Sequence, residues 1–138
     1  MTIRRDYLLR IIDEFFKFLS KILKLKGAKE YQQAFALIEE TSQTLLHLQL
    51  SEFLDNQEPI LNMVSNKSLN LDQIEILAEL LKVKADIDLE LNNNFSAINS
   101  YVKSLDLFEH IQSSSKNFSL ARIDKIKDIN FTLTSLKG

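Results

Sequence analysis

The chain has 138 residues, of which 45% are hydrophobic and 26% are charged, and its formal net charge is −2. It contains two glycines, one proline and no cysteine. A chain of this size can bury one hydrophobic core without metals or disulfides, so we expect a single domain over residues 1–138. The lack of cysteine excludes disulfides, thiolate metal sites and cysteine nucleophiles. Scarce glycine and proline argue against a fold with many tight β turns.

The apolar pattern of the first half of the chain predicts helices. Residues 5–26 carry one wide apolar stripe with charged residues on the opposite side. Gly27 is a suitable terminator for this helix, and a second helix is predicted over 29–50. The short link between the two predicts an antiparallel hairpin over 5–50. Weaker apolar clusters around Pro59 predict a connector over 51–69 with one or two short helical turns.

The second half predicts another hairpin and a final helix over 70–136. Asn70 and Gln73 are spaced for a capping box, which predicts that a helix begins there. This helix runs to about residue 92, where Asn92, Asn93 and Asn94 predict a turn, because asparagine tolerates the left-handed conformation. Helices over 95–113 and 119–136 follow from the same apolar periodicity. We therefore predict an all-α fold of about five to six helices.

The two predicted hairpins carry related residues at their turns. An aromatic residue stands just inside the second helix of each hairpin, and an alanine follows it. The residues are Tyr31 and Ala34 in the first hairpin and Phe95 and Ala97 in the second. This arrangement resembles the start of the second helix of a tetratricopeptide repeat, where small residues let two helices pack closely. The resemblance implies a tetratricopeptide-like right-handed α-α superhelix or bundle.

Residues 6–12, with the sequence Asp-Tyr-Leu-Leu-Arg-Ile-Ile, and residues 77–86 look like segments of a family of small bacterial proteins. That family combines such segments with tetratricopeptide-like hairpins and has no assigned activity, so the resemblance implies a fold and no site residues. Lys84 and Asp88 depart from the repeat pattern, which has a leucine and an aromatic residue at these positions. Because stacked repeats normally need about three units, two divergent hairpins should lean on the final helix, the connector or a second subunit.

The sequence carries no motif of catalysis or cofactor binding. Its two histidines, His47 and His110, stand alone in their helices, whereas a metal site needs three or four convergent ligands. Asp86, Asp88 and Glu90 are two residues apart and point in different directions on a helix, so they form no acid–base pair by themselves. Carboxylates from different helices could still meet in space. We predict no metal, no cofactor and no enzymatic activity.

The predicted helix over 70–92 has charged residues at steps of three and four along one side. We call four of them the charged stripe: Glu75, Glu79, Lys82 and Asp86. This stripe is expected to meet solvent or a ligand and to line a groove for a peptide or partner helix. The leading hypothesis is a non-catalytic protein–protein interaction module or scaffold. We expect it in the cytoplasm, because charged residues interrupt every apolar run that a signal peptide or membrane span needs.

Charge is unevenly distributed along the chain. Residues 1–29 hold eight basic and three acidic residues, a net charge of +5, whereas residues 30–138 hold nine and sixteen, a net charge of −7. The alternative hypothesis is a homodimeric or membrane-proximal helical bundle that uses the basic amphipathic helix 5–26. Packing of this helix within its own chain is the simpler explanation. The overall acidity disfavours a nucleic-acid partner, and we also disfavour a membrane. The candidate contact residues are Phe15, Phe16, Phe18, Lys17, Lys21 and Lys24.

Overall fold

The structure is a computed structural model that describes the backbone of residues 2–115 and 119–137 and the side chains of 6–115 and 119–137. These residues form seven helices and no strand, which confirms the predicted all-α class. The chain divides into two compact units, Met1–Leu50 and Ser51–Gly138. Each unit is built around helices that are adjacent in the sequence.

The first unit is a pair of helices joined by a three-residue turn. Helix α1 spans Thr2–Gly27 and helix α2 spans Tyr31–Leu46, and the two pack on each other. Ala34 and Ile38, two residues of the repeat-like pattern, are both buried in α2. The short turn and the contact between the helices make this unit a helical hairpin.

Helix α2 ends four residues earlier than the sequence predicts. His47 adopts a left-handed conformation with φ 56°, and its N–H donates to the Gln43 carbonyl over 3.1 Å. The Ser42 hydroxyl donates to the Leu48 carbonyl over 2.7 Å. These bonds satisfy backbone groups that the helix end leaves unpaired, so the chain can turn there although its apolar pattern continues.

The second unit contains the predicted connector, the second hairpin and the final helix. Its helices are α3 (Leu50–Leu54, which begins at the unit boundary), α4 (Ile60–Asn66), α5 (Leu71–Glu90), α6 (Asn94–Ser114) and α7 (Leu120–Lys137). The two short helices correspond to the one or two turns predicted in the connector. Helix α6 contacts α4, α5 and α7. It is therefore the central helix of this unit.

Three turns of the chain share one backbone geometry. Lys29, Ser68 and Asn92 have φ values of 60°, 56° and 61°. Each donates its N–H to the carbonyl three residues back, and the following residue donates to the carbonyl five residues back, which is the Schellman pattern. The prediction at Asn92 is confirmed. At the first turn, Gly27 is the last residue of α1, within one residue of the predicted helix end, and the left-handed residue is Lys29.

The start of α5 is fixed by the predicted capping box. The Gln73 N–H donates to Asn70 Oδ1 over 2.8 Å, and the Asn70 N–H donates to Gln73 Oε1 over 3.0 Å. Both donors would lack a partner within the helix, and each side chain supplies the acceptor for the other. The capping box prediction is confirmed.

Helices α5 and α6 pack closely because small residues lie between them. Ala78 and Ala85 of α5 and Ala97 and Ser104 of α6 are fully buried. The Ser104 hydroxyl donates to the Ala78 carbonyl over 2.7 Å across the interface. This contact requires the backbone of α5 to come near α6, which larger side chains would prevent. It fixes α5 in the position from which the charged stripe points away from the core.

Candidate functional site

The charged stripe lies along one side of α5, as the helical spacing predicts, but it is not open to solvent. Only 12% of the Glu79 side chain and 16% of the Lys82 side chain are exposed. Helix α7, which packs on α6, reaches the stripe with its own charged side chains. Helix α7 therefore supplies charged partners for the stripe and covers part of it.

Three ion pairs join α5 to α7 in regular order. Arg122 Nε lies 3.4 Å from Glu75 Oε2, and Lys82 Nζ lies 3.2 Å from Asp128 Oδ2. Lys125 forms a close ion pair with Glu79 between these two. The paired residues advance together along both helices, so α5 and α7 run parallel. We call these pairs the charge ladder: Glu75–Arg122, Glu79–Lys125 and Lys82–Asp128.

The C-terminal end of the charged stripe also makes a hydrogen bond to α6. Lys82 Nζ lies 3.1 Å from Asp86 Oδ2, and the Tyr101 hydroxyl donates to Asp86 Oδ1. Burial alone would lower the pKa of Lys82, but the carboxylates of Asp86 and Asp128 outweigh it, so this pKa is raised. Burial, reinforced by the hydrogen bond to Asp86, raises the pKa of Tyr101. The Tyr101 hydroxyl therefore keeps its proton and donates to Asp86 at neutral pH.

Helix α7 is held at the ladder by few buried side chains. Arg122, Ile129 and Leu133 are its only buried residues among those described. Arg122 also donates from Nη1 to Gln112 Oε1 over 3.0 Å, which orients its guanidinium toward Glu75. Leu120 and Phe131, in contrast, are largely exposed. Polar contacts therefore make up a large share of the attachment of this helix.

The two positions that depart from the repeat pattern form a second polar cluster. Lys84 Nζ donates to Asp88 Oδ2 over 2.7 Å, and the Ser96 hydroxyl donates to the same oxygen over 2.8 Å. Lys84 Nζ also lies 3.2 Å from the Ser96 hydroxyl. Asp88 is buried, so its charge requires these partners. The lysine and the aspartate compensate each other and link the ends of α5 and α6.

A groove of about 580 Å³ lies between the end of α3 and the first turns of α6. Lys103 of α6 donates from Nζ to the carbonyls of Phe53, Leu54 and Asn56, at 2.6, 3.2 and 3.2 Å. These bonds place a positive charge at the carboxyl end of a helix, where it is favourable. Partial burial lowers the pKa of Lys103. The ammonium thus has a structural role in holding α3 to α6.

The candidate contact residues of α1 separate into buried and exposed groups. Phe15 is 4% exposed and belongs to the core, whereas Phe16 is 59% exposed. Phe18 is half-buried, and the three lysines of the set are exposed. Phe15 and Phe16 therefore point to different sides of the helix, and Phe15 is taken up by the core. The exposed lysines are Lys17, Lys21 and Lys24.

The described residues hold neither a cluster of metal-ligand side chains nor a helix that could span a membrane. No group of three or more histidine, cysteine, aspartate or glutamate side chains converges among residues 6–115 and 119–137. Of the helices described, none combines the length and the hydropathy needed to cross a bilayer. Asp86 and Asp88 belong to two different hydrogen-bonded clusters, the first with Tyr101 and the second with Ser96.

Of the site residues that the sequence interpretation missed, Tyr101 lies on α6 and the three partners in the charge ladder lie on α7. Arg122, Lys125 and Asp128 follow one another at steps of three, in the charge order that complements Glu75, Glu79 and Lys82. Matching charge order between two predicted helices is the signal that points to their pairing. That signal is visible in the sequence only when both helices are compared in the same direction.

Comparisons with protein-family models, with curated proteins and with solved structures find no significant match to the chain.

Proposed function

We propose that the protein is a non-catalytic, cytoplasmic protein–protein interaction module that binds a partner helix along the charged stripe of α5. The charge ladder is the observation that carries this proposal. In chain order, α5 contributes two acidic residues and then a basic one, and the parallel helix α7 contributes two basic residues and then an acidic one. A partner helix with the same charge order at steps of three would meet the stripe with every charge paired. Such charge patterns select one partner over others.

In this proposal α7 of the same chain occupies the place on the charged stripe where a partner helix would bind. Its attachment depends on three ion pairs and a few buried residues, with Leu120 and Phe131 exposed. Ion pairs at partly exposed positions are each worth about 0.2–1 kcal/mol. The ladder therefore contributes more to the choice of helix than to the strength of binding. A partner helix with better apolar contacts would replace α7.

Tethering makes α7 a strong competitor for the stripe. A helix joined to its site by a short linker acts at an effective concentration in the millimolar range. The apparent affinity for a partner is reduced by the fraction of molecules in which α7 occupies the stripe. Weakening the pairs of α7 should therefore strengthen the binding of a partner helix, which is the opposite of what loss of a binding residue does.

The tetratricopeptide-like superhelix belongs to the same proposal. Two features support it: the close packing of α5 on α6 through Ala78 and Ser104, and the burial of Ala34 and Ile38 in α2. Small residues at such positions let the helices of a repeat pack closely. A module built from such hairpins presents helix faces as binding surfaces.

The test uses the full chain and a labelled peptide of residues 119–137, with binding followed by fluorescence anisotropy. The variant Arg122→Ala with Lys125→Ala removes two rungs of the ladder from the side of α7. We expect it to bind the unmodified peptide about tenfold more tightly than the wild-type chain does, because two lost ion pairs amount to roughly 1–2 kcal/mol. The matched control is Lys127→Ala, which changes an exposed lysine of the same helix.

A second peptide tests whether the charged stripe recognises the order of charges along the bound helix. In this peptide Arg122 and Lys125 are both replaced by glutamate, and we expect its binding to be lost. Equal binding of both peptides, or equal affinity of wild-type chain and double variant, would contradict the proposal. Tighter binding by the Lys127→Ala control would show that loss of any positive charge on α7 suffices.

A further inference from the structure

A row of apolar side chains runs along an exposed edge of α1. Its members alternate at steps of three and four residues, the heptad spacing of helices that pack side by side. Leu9 is 51%, Phe16 59% and Leu23 50% exposed, and the two residues between them are half-buried. We call this row the α1 seam: Leu9, Ile12, Phe16, Leu19 and Leu23.

The seam is separate from the apolar residues that α1 contributes to the core. Ile11, Phe15 and Ile22 lie on the adjacent face of the helix and are buried. Helix α1 is therefore apolar over a wider arc than the folded chain covers. From Leu9 to Leu23 the seam extends about 21 Å at 1.5 Å per residue. A continuous exposed apolar row of this length is typical of a surface that contacts another helix.

The charged residues beside the α1 seam are placed so that two antiparallel copies of α1 bring opposite charges together. Asp6 and Asp13 lie on its polar side in the first half of α1, and Lys17 and Lys24 lie on the same side in the second half. All four are exposed. Asp13 and Lys17 are each two residues from Phe15, and Asp6 and Lys24 are each nine residues from it.

We propose that α1 binds α1 of a second copy of this chain, with the two helices antiparallel and a twofold axis near Phe16. In this arrangement Leu9 faces Leu23 of the second copy, and the two Phe16 rings meet at the axis. Along this polar rim Asp6 and Asp13 of each copy then lie beside Lys24 and Lys17 of the other, while Arg10, which is exposed on the same side, gains no opposite charge. The charge pairs centre on Phe15, one residue from the axis, so paired charges are offset by two residues, or about 3 Å along the helix, which a lysine side chain spans easily. The seam is distinct from the α5 stripe, so this proposal does not depend on the proposed function.

The same charges argue against the other occupants of the seam. In a parallel pair the charged side of one α1 would lie beside the opposite side of the seam in the other, where Ile11, Phe15 and Ile22 are buried, so the charges would gain no partner. An anionic membrane surface would attract the net positive charge of α1 but would leave Asp6 and Asp13 without an opposite partner. Only the antiparallel pair gives all four charges an opposite partner.

The first test is the association of the full chain, measured by sedimentation equilibrium at micromolar to high micromolar concentrations. We expect a reversible dimer, and we expect Phe16→Ser to raise its dissociation constant at least about tenfold, because Phe16 lies at the centre of the contact. Phe131→Ser is the matched control, since it removes another largely exposed phenylalanine, from α7. A wild-type chain that stays monomeric, or a dimer that Phe16→Ser does not weaken, would overturn the proposal.

Reversing single charges tests the complementarity of the rim. Asp13→Lys and Lys17→Asp should each weaken self-association, because each places like charges together. Mixed in equal amounts, the two variants should form a heterodimer as tight as the wild-type dimer. Failure of the mixture to recover association would contradict the paired rim.

Engineered cysteines test the direction of the helices. The chain has no cysteine of its own, so each introduced thiol is unique. A mixture of Leu9→Cys and Leu23→Cys chains should form a disulfide-linked heterodimer under mild oxidation, whereas Leu9→Cys alone should not crosslink. Crosslinking of Leu9→Cys with itself would replace the antiparallel arrangement by a parallel one and overturn the proposal.

Vesicles provide the remaining comparison. We expect no cosedimentation of the wild-type chain with phosphatidylcholine vesicles that contain phosphatidylserine. Salt-sensitive binding to these vesicles by a chain that is monomeric in solution would assign the seam to a lipid surface instead and reject the dimer.

Discussion

A turn of the same backbone geometry links the two helices of the α1–α2 hairpin and of the α5–α6 hairpin. The two hairpins differ in what covers their first helix. Helix α5 buries apolar residues on one side, and its charged stripe is paired with α7 on the other. Helix α1 buries one arc and leaves its seam exposed. A third helix alongside the hairpin therefore changes which side of a helix is available to a partner. Amphipathic pattern alone does not reveal this.

The charged stripe and the α1 seam differ in whether the folded chain already supplies their partners. The charged stripe has the pattern of a binding face, yet α7 supplies its partners. The first helix has the pattern of a core element, yet Leu9, Phe16 and Leu23 are exposed. An exposed apolar row needs a partner more than a paired charged row does, because water solvates charges well and apolar surface poorly.

The largest difference between α5 and α1 should appear in the stability that is lost when a leucine of each helix is replaced by alanine. Leu77 of α5 is fully buried, so Leu77→Ala should lower the free energy of unfolding by about 3–5 kcal/mol through lost contacts and a cavity. Leu23→Ala in the α1 seam should cost less than about 1 kcal/mol. Urea denaturation at low protein concentration measures both without a contribution from dimerisation. Equal losses at the two positions would show that the seam is core.

The buried ion pair of α5 should give the next largest effect. Asp88→Ala removes the carboxylate that accepts hydrogen bonds from Lys84 and Ser96, and we expect a loss of about 2–3 kcal/mol. Asp124→Ala, at an exposed position of α7, is the matched control and should change the stability by less than about 0.5 kcal/mol. Similar results for the two variants would mean that the cluster contributes nothing to the folded state.

Local signals in the sequence were enough to predict part of this structure. The capping box of Asn70 and Gln73 and the left-handed turn at Asn92 depend on residues a few positions apart, and both are confirmed. The end of α2 was predicted wrongly, because a continuing apolar pattern hid the left-handed turn at His47. The left-handed conformation of Lys29 was also missed, because a lysine is an unusual residue for it.

The candidate sites were harder to predict because they depend on contacts between distant residues. Arg122 pairs with Glu75 across 47 positions of the chain. Periodicity identified both helices and placed the stripe on one side of α5, but it does not state which helix lies next to which. The burial of Phe15 and the exposure of Phe16 differ for the same reason, since both residues fit the apolar pattern of α1.

The hydroxyl of Tyr101 should have a smaller effect that changes with pH. Tyr101→Phe removes the hydrogen bond to Asp86, and we expect a loss of about 1 kcal/mol at neutral pH. The pKa of Tyr101 is raised above its usual value of 10.0, so the folded chain holds this proton more tightly than the unfolded chain. This contribution is fully present below pH 10 and is lost as the pH rises above it.

Denaturation of both proteins between neutral pH and pH 11 measures this effect. The wild-type chain should lose stability above pH 10 more steeply than Tyr101→Phe, so the difference between them should shrink or change sign. Parallel curves would show that the phenol is not held in its protonated form by the fold.

The smallest effect is expected at the outermost rung of the charge ladder. Asp128 has a side chain that is 61% exposed, and Lys82 keeps Asp86 as a second partner at 3.1 Å. Asp128→Asn should therefore lower the stability by only about 0.3 kcal/mol, and about 1 M salt should abolish the difference because it screens exposed charges. A double-mutant cycle with Lys82→Met measures the coupling directly. A coupling above about 1 kcal/mol would mean that the rung holds α7 in place, and a partner helix could then replace α7 only by making a stronger contact at that position.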